Sequence, residues 1–497
     1  MIRSLNFCIL CTCVLLMNYV SSQKTYRAAV YEHKVIFPWP WASNRPMALA
    51  QMMVNMKTFH AKAHMAGKQG VDIMVFGEDS LYGYHMRYRH VIKHYLEPIP
   101  DPTVIMWNPC NEPMRFPQDE IQVELSCMAK RNKMYIVANM GDIQLCEPGD
   151  PRCPKEGWYQ YNTNVAYDKE GNFIARYHKQ NRYLEPQFNS PAHPQHVYFD
   201  TKFGRFGLVI CNDIIFYDPI VELIREYNVT DIIFPTAWPE ALPLYSSIGF
   251  VSSFAVGHNV NVLHANIRDP HNRDVFVYGS GLYTPVGPVK YVYDPISPTG
   301  ILIIGDVPIN VKLPEKIPCD VNPLMFGHPN MKAVALPEFK AEIFKDWYNF
   351  VRVKGTEGTV TVCQDGFCCY LNYKKAQSYE TYAFGVFSGI QTAYKPMFKQ
   401  VCILLKCKTK NPLSCGQYVL NAHTHFSHFH IKGSFSSPFI QPQIVLSGPG
   451  YQLDLPPIGG FKYDATGLTG SATKKPLIHA ALIGRVYRKD CMTCGVY

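Results

Sequence analysis

From Tyr26 to about Asp306, short apolar runs alternate with longer helical stretches, and beyond Lys345 the chain turns to aromatic-rich segments of period two. These two regimes do not share one core. Strand–helix alternation builds a layered α/β core, whereas runs of short strands build sheet on sheet. At 497 residues the chain also exceeds the size at which a single core keeps growing. The reading is an α/β domain over 23–310, a Pro-rich linker over 311–340, and a smaller, mainly β domain over 341–497.

Within the first regime, Ala28–Phe37 reads as a strand and Ser43–Lys68 as a helix, with Ser43 as cap and Pro46 in the first turn. Asp72–Phe76 is a buried-type strand, Gln118–Arg131 a helix and Met134–Ala138 a strand. Thr163–Tyr177 reads as a hairpin turning at 168–172. Further strands are expected at Phe206–Ile210, Asp231–Phe234, Val260–His264 and Gly281–Tyr283.

Three strand ends deliver residues of different chemistry: Glu78 after Val75-Phe76-Gly77, Lys179 after Arg176-Tyr177-His178, and Cys211 after Val209-Ile210. Amide hydrolysis by a thiol needs a nucleophile, a proton shuttle and a hold on the oxyanion. Cysteine with a pKa of about 8.5 is mostly thiol at neutral pH, so a carboxylate near Cys211 is needed to take its proton. Taken singly, a cysteine at a strand end is a small buried hydrophobe, and Glu or Lys in a turn is a solvated charge. Their conjunction points to chemistry. No metal and no cofactor is required.

The order Glu78, Lys179, Cys211, each within its local words, resembles the catalytic triad of the nitrilase superfamily, and specifically its vanin (pantetheinase) and biotinidase branch. The segments Gln364–Leu371 and Cys402…Cys407…Cys415-Gly416 resemble that branch's C-terminal domain, so the resemblance covers nearly the whole chain. It implies an α-β-β-α sandwich, with Cys211 as nucleophile, Glu78 as proton acceptor, and Lys179 as proton donor and oxyanion stabiliser. Glu185 would support the lysine, and the backbone N–H of Asn212 would be the second oxyanion donor. The implied substrate is a linear amide, pantetheine first and biocytin as the alternative; an inactive binding protein of the same fold is the reading from another class. Family members commonly carry Pro before the glutamate and Phe after the cysteine, where this chain has Gly77 and Asn212.

The N-terminus has the layout of an export signal: Arg3, then the apolar stretch Phe7–Met17, then Val20-Ser21-Ser22, with cleavage before Gln23. The apolar run is shorter than the roughly 20 residues a spanning helix needs. The C-terminal Gly484–Tyr497 is too polar for a glycolipid-anchor signal, so a soluble, secreted protein is expected. Of 17 cysteines, Cys8, Cys11 and Cys13 leave with the signal. Reserving Cys211 leaves an odd number, so one more free thiol is expected, with Cys127 in Glu124–Lys130 a suitable buried one. Cys146 and Cys153 bracket a turn-rich loop suited to a local disulfide, and Cys491-Met-Thr-Cys494 is read as a disulfide pair. Asn228-Val229-Thr230 is a glycosylation sequon.

Net charge is +9 without any Lys/Arg run that would track phosphates, so nucleic acid is not an expected partner, and a monomer is expected. His423, His425, His428 and His430 cluster, but period two places the first two and last two on opposite strand faces, which reads as exposed strand rather than metal site. Trp238 and Glu240, just past the Asp231–Phe234 run, are candidates to line the pocket mouth.

Overall fold

The computed structural model describes residues 24–269, 276–309, 336–391 and 395–490. The expected leader, most of the linker and the Cys491–Cys494 pair lie outside them. In the first domain β1 (Thr25–Lys34) is followed by α1 (Arg45–Gly67), β2 (Ile73–Phe76), α2 (Glu120–Asn132), β3 (Tyr135–Leu145), β4 (Trp158–Tyr167) and β5 (Phe173–His178). Then come β6 (Tyr198–Asp200), β7 (Arg205–Leu208), α3 (Ile220–Arg225), β8 (Asp231–Thr236), α4 (Gly249–His258), β9 (Asn261–Arg268), β10 (Ser280–Thr284), β11 (Gly287–Val292) and β12 (Ile301–Pro308).

One sheet runs β12-β1-β2-β3-β4-β5, with β1, β2 and β3 parallel. The other runs β11-β10-β9-β8-β7-β6, with β7, β8 and β9 parallel. A short parallel register, His33 with Ile267 and Lys34 with Arg268, joins the two at one corner. The strands are apolar on both faces because both faces are covered. Ala28, Val30, Ile73 and Val75 point into the core shared with Phe206, Leu208 and Ile232 of the opposite sheet. Their neighbours Ala29, Tyr31, Met74 and Phe76 point the other way, onto Met52, Met56, Phe59 and Ala63 of α1 and Leu125 and Met128 of α2. Period two in the strands thus separates two layers of core, and the result is the α-β-β-α sandwich.

α1 starts one residue later than expected. Asn44, not Ser43, is the cap: it is extended, and its side chain accepts from Met47 N, satisfying a donor the first turn leaves open. Cys127 is not a free thiol. It lies on α2 beside the 108–112 loop and is bonded to Cys110, whose own N–H donates to Ser126 Oγ at 3.0 Å. Cys146–Cys153 closes its loop as read from sequence. The further unpaired cysteine is not among the described residues, where Cys211 is the free one; Cys319 lies outside them.

The second domain is all strand and short turns: β13 (Phe339–Ile343), β14 (Asp346–Arg352), β15 (Glu357–Gln364), β16 (Phe367–Lys375), β17 (Tyr382–Gln391), β18 (Met397–Lys406), β19 (Phe426–Gly433), β20 (Ile440–Ser447), β21 (Leu453–Asp454), β22 (Phe461–Asp464), β23 (Gly467–Ser471) and β24 (Leu477–Arg485). A sheet β13-β14-β17-β18-β24-β20-β21 faces a second, β15-β16-β19-β23-β22. Between them lie Phe384, Leu404, Phe429 and Leu482, and the Cys369–Cys402 disulfide ties β16 to β18 across the layer. Of the four clustered histidines, His428 and His430 lie on β19 and His423 and His425 just before it. Among the described residues no helix is long and apolar enough to cross a membrane.

Candidate active site

Parallel strands present their carboxyl ends at one edge, and that edge collects the three residues of interest. β2 ends at Phe76 and is followed by Gly77-Glu78, whose N–H donates to Thr236 O at the end of β8. β5 ends at His178, and Lys179 N donates to Asn162 O at 2.9 Å. β7 runs through Val209 and Ile210 into the short 3-10 turn Cys211–Ile215. Cys211 itself has φ 45°, a left-handed conformation that non-glycine residues seldom adopt. Such strain at a nucleophile turns the side chain off the strand's alternation.

Within this edge the side chains close a ring. Lys179 Nζ donates to Glu78 Oε1 and to Glu185 Oε2, each at 2.6 Å. Glu78 Oε1 also accepts from Asn162 Nδ2 at 2.8 Å, and Glu78 Oε2 accepts from Ala237 N at 2.8 Å. The Cys211 thiol lies within the electrostatic reach of Glu78 and Lys179. These groups are withdrawn from solvent, with Glu78, Lys179 and Cys211 at 2%, 1% and 5% exposure. A cation so deeply buried persists only when paired. Burial alone would depress the Lys179 ammonium, but Glu185 and Glu78 outweigh it and hold its pKa well above the ordinary lysine value. The Cys211 thiol is pushed well above its usual range, first by burial and then by the negative charge of Glu78, against which Lys179 pulls only partly. The resting sulfur therefore keeps its proton, and its nucleophilicity depends on a base that removes it during attack.

Two groups that sequence reasoning passed over complete the arrangement. Asp213 is fully buried and takes four donors: Tyr177 Oη at 2.7 Å and Ile210 N at 3.1 Å on one oxygen, Asn181 N at 2.7 Å and Asn181 Nδ2 at 3.1 Å on the other. Burial pushes its carboxyl up to about 6. It fastens the Cys211 turn to the segment that carries Lys179. Asn162 is the second, buried with Thr163 and Asn164 as a polar run within β4.

Not every other candidate falls within this ring. Glu185 joins it, and its Oε2 also accepts from Tyr183 N at 2.7 Å. Asn212 follows the nucleophile directly, with its side-chain amide toward Arg182 O at 3.5 Å. Trp238 lies next to Ala237 but faces inward: its Nε1 donates to Tyr245 O, and its ring stacks on Phe250 with centroids 5.4 Å apart. Glu240 is buried, its Oε2 accepting from Ser247 N and Oγ, and burial pushes its carboxyl up to about 7. Asn228 is exposed in the turn between α3 and β8, at φ 56°.

Residues 27–226 match the carbon-nitrogen hydrolase family model and residues 338–490 the vanin C-terminal domain model. The chain is 41% identical over 478 residues to pantetheinase of Mus musculus, covering 95% of this chain and 90% of that one. It is 37% identical over 494 residues to biotinidase of Homo sapiens, covering 94% and 90%. Among solved structures, an amidase from Nesterenkonia sp. AN1 matches 57% of this chain and 93% of its own, at 17% identity and a TM-score of 0.39.

Proposed function

The chain belongs to the vanin and biotinidase family of carbon–nitrogen hydrolases and is a hydrolase of amide C–N bonds; on that premise we propose that it cleaves pantetheine to pantothenate and cysteamine through a thioester on Cys211. The observation that carries this reading is the buried Glu78–Lys179–Cys211 cluster in a chain that aligns over 95% of its length with a pantetheinase. Glu78 takes the thiol proton as sulfur attacks the amide carbonyl, forming a tetrahedral oxyanion. Lys179 and the Asn212 N–H face the developing charge, and one such donor is worth about 2.7–4 kcal/mol of barrier. Glu78 then returns the proton to the nitrogen as the C–N bond breaks, and cysteamine leaves as a neutral amine. A water, deprotonated by the same carboxylate, opens the thioester and restores the thiol.

The sequence features at the N-terminus and the exposed Asn228 sequon support a secreted glycoprotein.

The test is side-by-side hydrolysis of pantetheine and biocytin by the purified protein, following release of the primary amine cysteamine from one and of biotin from the other. Pantetheine turnover is expected to dominate and to fall to background in Cys211→Ala. Activity that survives this substitution overturns the mechanism, and faster biocytin turnover overturns the substrate.

A further inference from the structure

We propose that Asn162 is a positioning residue for the reaction, the neutral group that holds Glu78 and Glu185 apart, ionised and aimed around Lys179. The assignment rests on the reading of Glu78 as the base toward Cys211.

Its Nδ2 donates to both carboxylates, to Glu78 Oε1 at 2.8 Å and to Glu185 Oε1 at 2.7 Å. Its backbone oxygen accepts from Lys179 N. One residue therefore fixes the main chain of the lysine and both of the lysine's acidic partners. The direction of the amide is set from outside the site. Asp79 N, which only donates, gives its hydrogen to Asn139 Oδ1 at 2.9 Å. That leaves Asn139 Nδ2 to donate to Asn162 Oδ1 at 2.6 Å, and Asn162 Nδ2 is then the group that faces the carboxylates. A flipped amide would set oxygen against oxygen at both carboxylates.

The chemistry calls for such a group. Two buried carboxylates share one ammonium, and like charges at this range repel. A second cation would quench Glu78 as a base, and a third carboxylate would add repulsion. A neutral double donor stabilises both ionised carboxylates and leaves the ring one negative charge to draw the thiol proton. The other titratable groups facing Glu78 are Cys211, Asp79 from the same turn and Tyr82, with Asp213 and Lys395 acting further out through Lys179.

Asn162→Leu keeps the heavy-atom branching, in a larger side chain, and removes both donors. It is expected to move the acid limb of the pH–rate profile to higher pH by about one unit and to lower kcat about 10- to 100-fold, with KM changed less than about twofold. The same limb is read without substrate as the pH dependence of Cys211 alkylation by iodoacetamide, so a protein that did not cleave pantetheine would still test Asn162. Asn164→Leu is the control. It lies on the same strand face, bonded to Asn139 and to Val209 O but to neither carboxylate. Its limb is expected to stay where the parent's is. An unmoved limb in Asn162→Leu, or an equal shift in Asn164→Leu, overturns the proposal. Should the leucine variant fail to fold, Asn162→Ser, with one short donor, takes its place: a limb moved to higher pH supports the proposal and an unmoved limb overturns it.

Discussion

Cys211 is reactive through its neighbours and is placed by one of them in particular. Four donors converge on the Asp213 carboxylate, two from the stem of the cysteine turn and its facing strand, two from Asn181 beyond Lys179. In Asp213→Asn an NH2 replaces an oxygen that two donors face, so at least one of them loses its acceptor inside the protein. We expect a loss of about 1–3 kcal/mol in urea unfolding, and alkylation of Cys211 slowed at least about tenfold as the turn relaxes. Parent-like alkylation would mean that the turn holds its shape unaided. Neither Asp213 nor Asn162 stood out in the sequence. An aspartate after Cys-Asn reads as a solvated turn residue, and an asparagine in a strand reads as a flaw in the alternation. Apart from Ile210, the partners that give them their roles lie 17 to 84 residues away along the chain. The triad was legible because three unlike chemical types each sat at a strand end; the residues that aim it carry no such contrast.

At the level of elements, the buried strands were legible wherever apolar runs were short and bounded by turns, and β2, β5 and β8 follow their runs closely. α4 was not. Gly249-Phe-Val-Ser-Ser-Phe-Ala-Val-Gly-His258 is small and apolar all round, with no polar face to give it a period. Its composition suits its place, because Gly257 lies where a Cβ would come 2.4 Å from Ile440 O, so the helix can lie directly on β20. Gly77 makes a comparable close approach under Glu78. A Cβ there would lie 3.0 Å from Asn266 C and 3.0 Å from Ile267 Cγ2, and the backbone of β9 is held on both sides by β8 and β10. Gly77→Ala is therefore expected to cost about 1–3 kcal/mol by overpacking, and to lower kcat by displacing the turn that carries Glu78. Thermal unfolding and turnover together check it. A variant with parent stability and parent kcat would show that β9 can retreat.

The two domains meet where the site is built. Arg485 of β24 donates from Nε to Ile215 O, the last residue of the cysteine turn, and its Nη2 pairs with Asp490 at 2.7 Å. Gln443 of β20 donates to Leu244 O, and Tyr245 donates to Gln391 Oε1, so the segment that supports Trp238 is held by the β domain. None of this was visible in the sequence, because an interface between domains has no period of its own. His258, at the end of α4, lies in this seam with its ring stacked on Phe254 at 4.1 Å and facing Phe439 of the β domain at 6.1 Å. Burial, aided by the nearby Arg225 charge, lowers its pKa to about 3. In the unfolded chain the same imidazole takes its proton near about 6.5. Between these values the unfolded state binds one proton more, so stability from this residue is whole above about pH 6.5 and is lost as pH falls toward about 3. His258→Phe keeps the aromatic stack and removes the titration. Measured by urea unfolding at four pH values from about 7 down to about 4, the variant is expected to gain on the parent by about 1.4 kcal/mol for each unit below about 6.5. The other buried histidines are common to both proteins and cancel from the comparison. A parent–variant difference that stays constant across this range would place His258 in contact with water, and the seam between the domains would then be open rather than closed.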